Sequence, residues 1–128
     1  MRKINDGFIR ISEDLTIFPG YLFEDFKSTK YYKKQDGIRI IYLDEQQIIG
    51  KNKYIVSLFF REGKIYMVSL ICCDKEYSEV DELKRKTLHD IILKKLGITG
   101  QRMYDWGIIA SDYDAKSNIS SINVTYFS

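Results

Sequence analysis

Two runs rich in aromatic and β-branched residues, 54–60 and 65–73, flank Arg61-Glu62-Gly63-Lys64, and this constrains the chain more than any other feature. Gly63 can take the positive φ that a tight hairpin turn demands. With Glu62 and Gly63 as the loop residues, Phe60 faces Ile65, Phe59 faces Tyr66 and Leu58 faces Met67. Both faces of both strands are largely apolar, which predicts a central pair of strands covered on two sides.

The rest of the chain supports such a pair. Residues 7–11 and 15–18 read as a short strand pair that ends at Pro19-Gly20. Residues 21–27 read as a short helix that turns Leu22, Phe23 and Phe26 to the core. Residues 37–43 form a strand pattern with Ile38, Ile40 and Tyr42 on one face and Ile41 and Leu43 on the other, and residues 44–47 turn the chain before Ile48 and Ile49. Residues 78–96 are the one long helix. Ser78 and Asp81 stand at the spacing of a capping box, acidic residues fill the first turn, Lys94 and Lys95 the last, and Gly97 stops it. Val80, Leu83, Thr87 and Ile91 make one stripe, with Leu88, Ile92 and Leu96 beside it. The helix is therefore expected to lie on this wide apolar arc against the sheet. Residues 103–111 and 119–127 read as a closing hairpin around the loop 112–118. Ile122, Val124 and Tyr126 alternate there with Ser121, Asn123 and Thr125, the pattern of a sheet with one wet face.

The expected fold is α+β: a mainly antiparallel sheet of about five to seven strands with one long helix, about 78–96, packed on one face. The 128 residues make a single domain, 1–128. Hydrophobic residues at 45% and charged residues at 30% exclude a disordered or collagen-like chain. Ten Tyr, seven Phe and a single Pro favour ordered strands.

Twenty basic against eighteen acidic residues leave a formal charge of +2, a field that neither demands nor forbids a polyanionic partner. Arg2 and Lys3 are followed by no apolar run, so no secretory signal is expected. The longest apolar stretch, 65–73, is far short of the roughly twenty residues of a membrane span, so no membrane partner and a cytoplasmic location are expected. Cys72 and Cys73 are neighbours whose side chains point to opposite faces of a strand. They cannot easily pair with each other, and no C-x-x-C supports a metal or redox site. No cofactor and no metal ligand set are expected.

Each candidate site has a plainer account beside it. His89 is the only histidine, and a place at the edge of the apolar arc explains it; the sharper alternative pairs it as base with Cys73 as nucleophile, but nothing in the spacing joins the two. Asp112, Asp114 and Asn118 are spaced like the start of a calcium loop, yet Lys116 occupies a ligand position and no Glu closes the loop, which leaves turn chemistry. Lys27, Lys30, Lys33 and Lys34 surround Tyr31 and Tyr32 with no acid between them, a composition that can grip a nucleic-acid backbone or be a solvated loop. Trp106, between Asp105 and Gly107, reads as an anchor at a strand bend or an interface hot spot. Phosphate-binding loops, H-E-x-x-H and G-x-S-x-G are absent, and no catalytic residues are assigned.

The segments Tyr104-Asp105-Trp106-Gly107-Ile108, Ser111-Asp112-Tyr113-Asp114 and Ser121-Ile122-Asn123-Val124-Thr125-Tyr126 resemble the endings of small bacterial proteins of the polymorphic-toxin immunity type. The preceding hairpin is similar in style, so the resemblance covers about the last 75 residues. It implies a non-enzymatic protein that binds a toxin, and it carries no catalytic residue across. The slightly basic chain then implies a target that is not strongly basic. Eighteen aromatic side chains exceed what one small core must hide. The expectation is thus a small bacterial protein-binding module, with Tyr31, Tyr32, Lys33, Lys34, Trp106 and Tyr113 as its binding residues and another protein as partner. A small-ligand or nucleic-acid binding domain is the alternative.

Overall fold

The structure, a computed structural model, describes residues 3–127. Its main sheet has seven antiparallel strands: β3 (Ile40–Tyr42), β4 (Gln47–Ile49), β5 (Asn52–Arg61), β6 (Lys64–Cys72), β7 (Gln101–Tyr104), β8 (Gly107–Asp114) and β9 (Ile119–Tyr126). They follow the order β3-β5-β6-β9-β8-β7, and β4 pairs with the N-terminal half of β5. The two-stranded ribbon of β1 (Ile9–Arg10) and β2 (Thr16–Ile17), the single-turn helix α1 (Phe23–Phe26) and the long helix α2 (Glu82–Lys95) complete the chain. This is the expected α+β fold, with one helix on one face of a mainly antiparallel sheet. Among the described residues, no helix is long and apolar enough to cross a membrane.

The β5–β6 hairpin turns through Glu62 and Gly63, both at positive φ (52° and 77°), as a two-residue hairpin loop of matching twist requires. Phe60 faces Ile65 as expected, but a bulge then shifts the register, so Phe59 faces Met67 and Leu58 faces Val68. The extra residue of the bulge puts Val68 and Leu70 on the face that holds Val56, Leu58 and Phe60, all buried. The pair lies inside the sheet, as expected, yet only one of its faces is covered. The N-terminal ribbon, α1 and α2 all contribute to a single core with that face, while Ile55, Phe59, Met67 and Ile71 on the other stay wholly or partly exposed.

Rings fill one end of the core. Phe26 is fully buried and meets Phe23, Tyr32 and Phe60, while Phe18 and Tyr21 continue the contacts outward. Leu22, expected in this core, caps α1 and is exposed because its backbone is extended there. At the other end, residues 103–111 are not one strand: Asp105 and Trp106 form the turn between β7 and β8. Trp106 stacks on Tyr104 with ring centroids 5.2 Å apart, and its Nε1–H donates to Asn5 O at 2.8 Å. Tyr126 donates its hydroxyl to Gly7 O at 2.8 Å. Gly7 has a φ of 83°, and a Cβ there would lie 2.8 Å from Pro19 and 2.9 Å from Trp106. These aromatic residues fasten the N-terminal turn to the sheet.

Helix α2 keeps only half of the expected apolar arc: Leu88 and Ile92 of the second stripe pack half-buried against the core, while the first stripe is turned outward. Val80, Leu83 and Ile91 point to solvent at 91%, 57% and 48% exposure, while Glu82, His89 and Leu93 are buried. The cause lies in the sheet. β6 and β9 pair only between Met67–Leu70 and Ile122–Thr125, and beyond that the strands diverge, leaving the Cys72 and Ser120 N–H groups without strand partners. Buried backbone donors must find acceptors. His89 Nε2 accepts from Cys72 N–H and Glu82 Oε2 from Ser120 N–H, each at 3.0 Å. Two helical turns separate Glu82 from His89, so one stripe of α2 serves both strands. Ser78 gives its hydroxyl to the Asp81 carboxylate and caps no backbone N–H, so the expected capping box is not formed. The C-terminus ends as expected at Gly97 (φ 84°): Gly97 N–H donates to Lys94 O and Ile98 N–H to Leu93 O, and Leu93 and Ile98 are both buried.

Candidate functional site

Because the whole second layer lies on one side, the opposite face of the sheet is bare. Strand register sets a row of residues across it: Tyr42 beside Ser57, Ser57 beside Ser69, Ser69 beside Asn123, and Asn123 beside Ala110. Apart from Tyr42 these are small or polar. A parallel row of larger side chains rises next to them, from Ile40 through Phe59, Met67 and Thr125 to Ile108. On the other side stand Ile71 and Ile119. Short side chains between taller ones make a trough of about 610 Å³. Its depth explains why Ser57 is buried although no layer covers it. At about 4.8 Å per strand spacing, the row from β3 to β8 spans about 19 Å.

The trough mixes apolar walls with polar floor groups. Among the described residues, the hydroxyls of Ser57, Ser69 and Ser121 make no side-chain hydrogen bond and remain available to a partner. Among the described residues, Asp112 and Asp114 supply its only charged side chains. Asp112 accepts from the Asn123 amide at 2.8 Å, and Asp114 accepts from Lys116 N–H and the Ser117 hydroxyl, the turn chemistry expected of this loop. Tyr42, at 67% exposure, stands at one end of the trough. Tyr113 lines it at the other, with its hydroxyl held by Asn118 at 2.7 Å.

A second concavity, about 340 Å³, brings together Lys30, Tyr31 and Lys33 with Gln35, Asp44 and Gln47. Tyr31 donates its hydroxyl to Gln47 at 3.3 Å, and Lys33 pairs with Asp44. Tyr32 turns away to the core, its ring edge-on to Phe23 and its hydroxyl on Asp36 at 2.6 Å. Lys34 is exposed with a φ of 63°. Of the sequence-derived binding residues, this cleft thus gathers Tyr31 and Lys33, the trough holds Tyr113, and Trp106 belongs to the N-terminal clasp. The residues that sequence reasoning missed are Ser57, Ser69, Phe59, Met67 and Tyr42. The available signal was a serine at the same depth in two otherwise apolar strands.

His89 and Cys73 are not brought together as a pair. The ring is fully buried with Nε2 on the Cys72 N–H, while the Cys73 thiol bonds to Lys53 O at 3.4 Å. Burial pushes both cysteine thiols above their ordinary range. Among the described residues, no cluster of three or more His, Cys, Asp or Glu side chains could hold a metal ion.

The buried imidazole has a measurable consequence. Accepting at Nε2 requires the neutral ring with its proton on Nδ1. Burial, then the charge of Arg85, lowers its pKa from 6.5 to about 4; Glu82 and Asp90 oppose the shift and Lys86 adds to it. Below the unfolded pKa the unfolded chain takes up a proton that the folded chain refuses, so stability falls as pH drops from 7 towards 4. Linkage puts the loss from this group between pH 7 and pH 5 at about 2 kcal/mol. His89→Gln retains an acceptor and removes that slope. Denaturant titrations of both proteins at the two pH values check this; equal pH dependence would contradict it. Asp74 and Asp90, whose pKa values lie below the usual carboxylate value, act at lower pH.

Comparison with known protein families, curated proteins and solved structures finds no match.

Proposed function

We propose that this chain is a non-enzymatic protein-binding module that receives its partner in the trough on the bare face of its sheet. The observation that carries this reading is an uncovered sheet face on which a row of small or polar residues, with the unbonded Ser57 and Ser69 hydroxyls side by side in it, runs in register across five strands next to a row of larger side chains. Interfaces of this kind combine a partly apolar floor with polar groups that fix orientation. Among the described residues, the charges in the trough are two carboxylates, so the complementary surface is apolar with a small number of cations. The resemblance to polymorphic-toxin immunity proteins supports a toxin as the partner, and a cytoplasmic site of action accords with it.

Nucleic acid is the less favoured partner. The basic loop at Lys27–Lys34 is met by acidic groups: Lys27 pairs with Glu24 and Asp36, and Lys33 with Asp44. Capture from the native lysate at moderate and high salt, with wild type beside Ser69→Arg, separates these readings. The expected result is one protein retained by wild type at high salt and lost from the variant, because an arginine in the floor blocks the trough. Nucleic acid released at high salt would overturn the reading, since phosphate contacts weaken steeply with ionic strength. Equal retention by both proteins would move the interface off the sheet.

A further inference from the structure

The molecule carries two unpartnered surfaces, and each fits the other. The first is the trough, about 19 Å long, with apolar walls and, among the described residues, charge only from the carboxylates of Asp112 and Asp114. The second is the outward face of α2, where Leu83, Thr87 and Ile91 form an exposed stripe that Val80, in the short 3-10 turn Glu79–Asp81 before the helix, continues; it is apolar except for Thr87. Lys84, Lys94 and Lys95 flank that stripe, and Lys94 and Lys95 make no ion pair among the described residues. The fourteen residues of α2 extend about 21 Å, close to the length of the trough. Stripe meets apolar wall, lysine meets aspartate, and the lengths agree.

We infer that α2 of a second copy of this chain enters the trough when the partner proposed above does not fill it. The inference rests on the reading of the trough as a docking surface and names its occupant in that partner's absence. α2 lies on the covered face of the sheet and the trough on the other, so the two surfaces look away from each other. Their contact is heterologous: each copy offers a helix to one neighbour and a trough to the next. Such contacts do not close into a two-fold dimer but extend as an open stack. The buried area is that of one helix face, in the range of weak, reversible interfaces, so association is expected to depend on concentration. Opposite charges at the rim make it weaken with salt.

Analytical ultracentrifugation across a wide concentration range tests this. Wild type is expected to rise from the 15.1 kDa monomer through successive multiples as concentration increases, with less association at high salt. Leu83→Glu, which ruins the helix face, and Ser69→Arg, which fills the trough, should each remain monomeric. Mixed in equal amounts, they retain one good trough and one good helix between them and should form a species of twice the monomer mass and nothing larger. Lys94→Glu with Lys95→Glu, both far from the core, should weaken wild-type association without altering the fold. A wild type that stays monomeric throughout overturns the inference. So does a stack that survives in either single variant, or a mixture that fails to pair. If wild type is monomeric while Ser69→Arg still loses a captured protein, the trough stands as a docking surface and only the second copy falls.

Discussion

Gly107→Ala is expected to destabilise the fold by about 3 kcal/mol, at the upper end of what overpacking usually produces. Gly107 begins β8 beside Tyr126, and a Cβ there would lie 2.0 Å from Thr125 O and 3.0 Å from its carbonyl carbon. Those atoms belong to the backbone of β9, so no rotamer change relieves the overlap. The strands must separate at the point where Tyr126 and Trp106 hold the N-terminal turn. Denaturant unfolding of the variant should therefore show a lower midpoint together with freed Trp106 fluorescence. A loss below about 1 kcal/mol would mean that β8 and β9 do not approach this closely.

Glu82→Ala is expected to cost about 3–5 kcal/mol, as removal of one partner of a buried ion pair does. The Glu82 carboxylate takes Arg85 Nη1 at 2.7 Å and Ser120 N–H at 3.0 Å, while Ser120 also donates its hydroxyl to Glu82 O. Both side chains are well shielded, at 17% and 8% exposure. Truncation leaves a backbone donor unpaired and an arginine charge without its counterion. Arg85 already has a buried Nε without a hydrogen-bond partner and stacks over Tyr77. Removing Arg85 as well should return part of the loss, because the stranded charge goes with it. A full double-mutant cycle in urea isolates that coupling. If the double variant is no more stable than Glu82→Ala alone, the penalty comes from the Ser120 donor and not from the charge.

These two sites mark the limit of what local sequence could say. The strands, the N-terminal ribbon, the β5–β6 turn at Glu62-Gly63 and the stop at Gly97 follow from alternation and turn chemistry that act over a few residues. The direction in which α2 faces does not. Its apolar pattern favours Val80, Leu83 and Ile91 inward beside Leu88 and Ile92; the last two do pack on the core, but the divergence of β6 and β9 creates two buried N–H groups, and Glu82 and His89 take the place of the first stripe. That need exists only once distant strands have paired. The break between β7 and β8 was obscured for a related reason: Asp105 and Trp106 make a turn whose tryptophan is held by the N-terminal segment, about a hundred residues away in sequence.

The candidate site was legible in still smaller part. Ser57 and Ser69 are visible in the sequence as polar interruptions of apolar strands, but they form a floor only because the bulge after Phe59 leaves them in register with each other and with Asn123. Aromatic content pointed to exposed anchors. The rings of Tyr32 and Trp106 instead serve the core and the N-terminal clasp, while Tyr113, and Tyr42 which the sequence did not single out, line the trough.

The proposed docking surface is the bare face of the sheet. Hydroxyl-radical footprinting of the dilute protein, alone and saturated with the protein it captures, tests this most directly. Protection of Phe59, Met67 and Tyr42, with Tyr31 and Tyr77 unchanged, is expected. Protection confined to Tyr31 and its neighbours, with Met67 oxidised as fast as in the free chain, would contradict it and place the partner at the Lys30–Gln47 cleft.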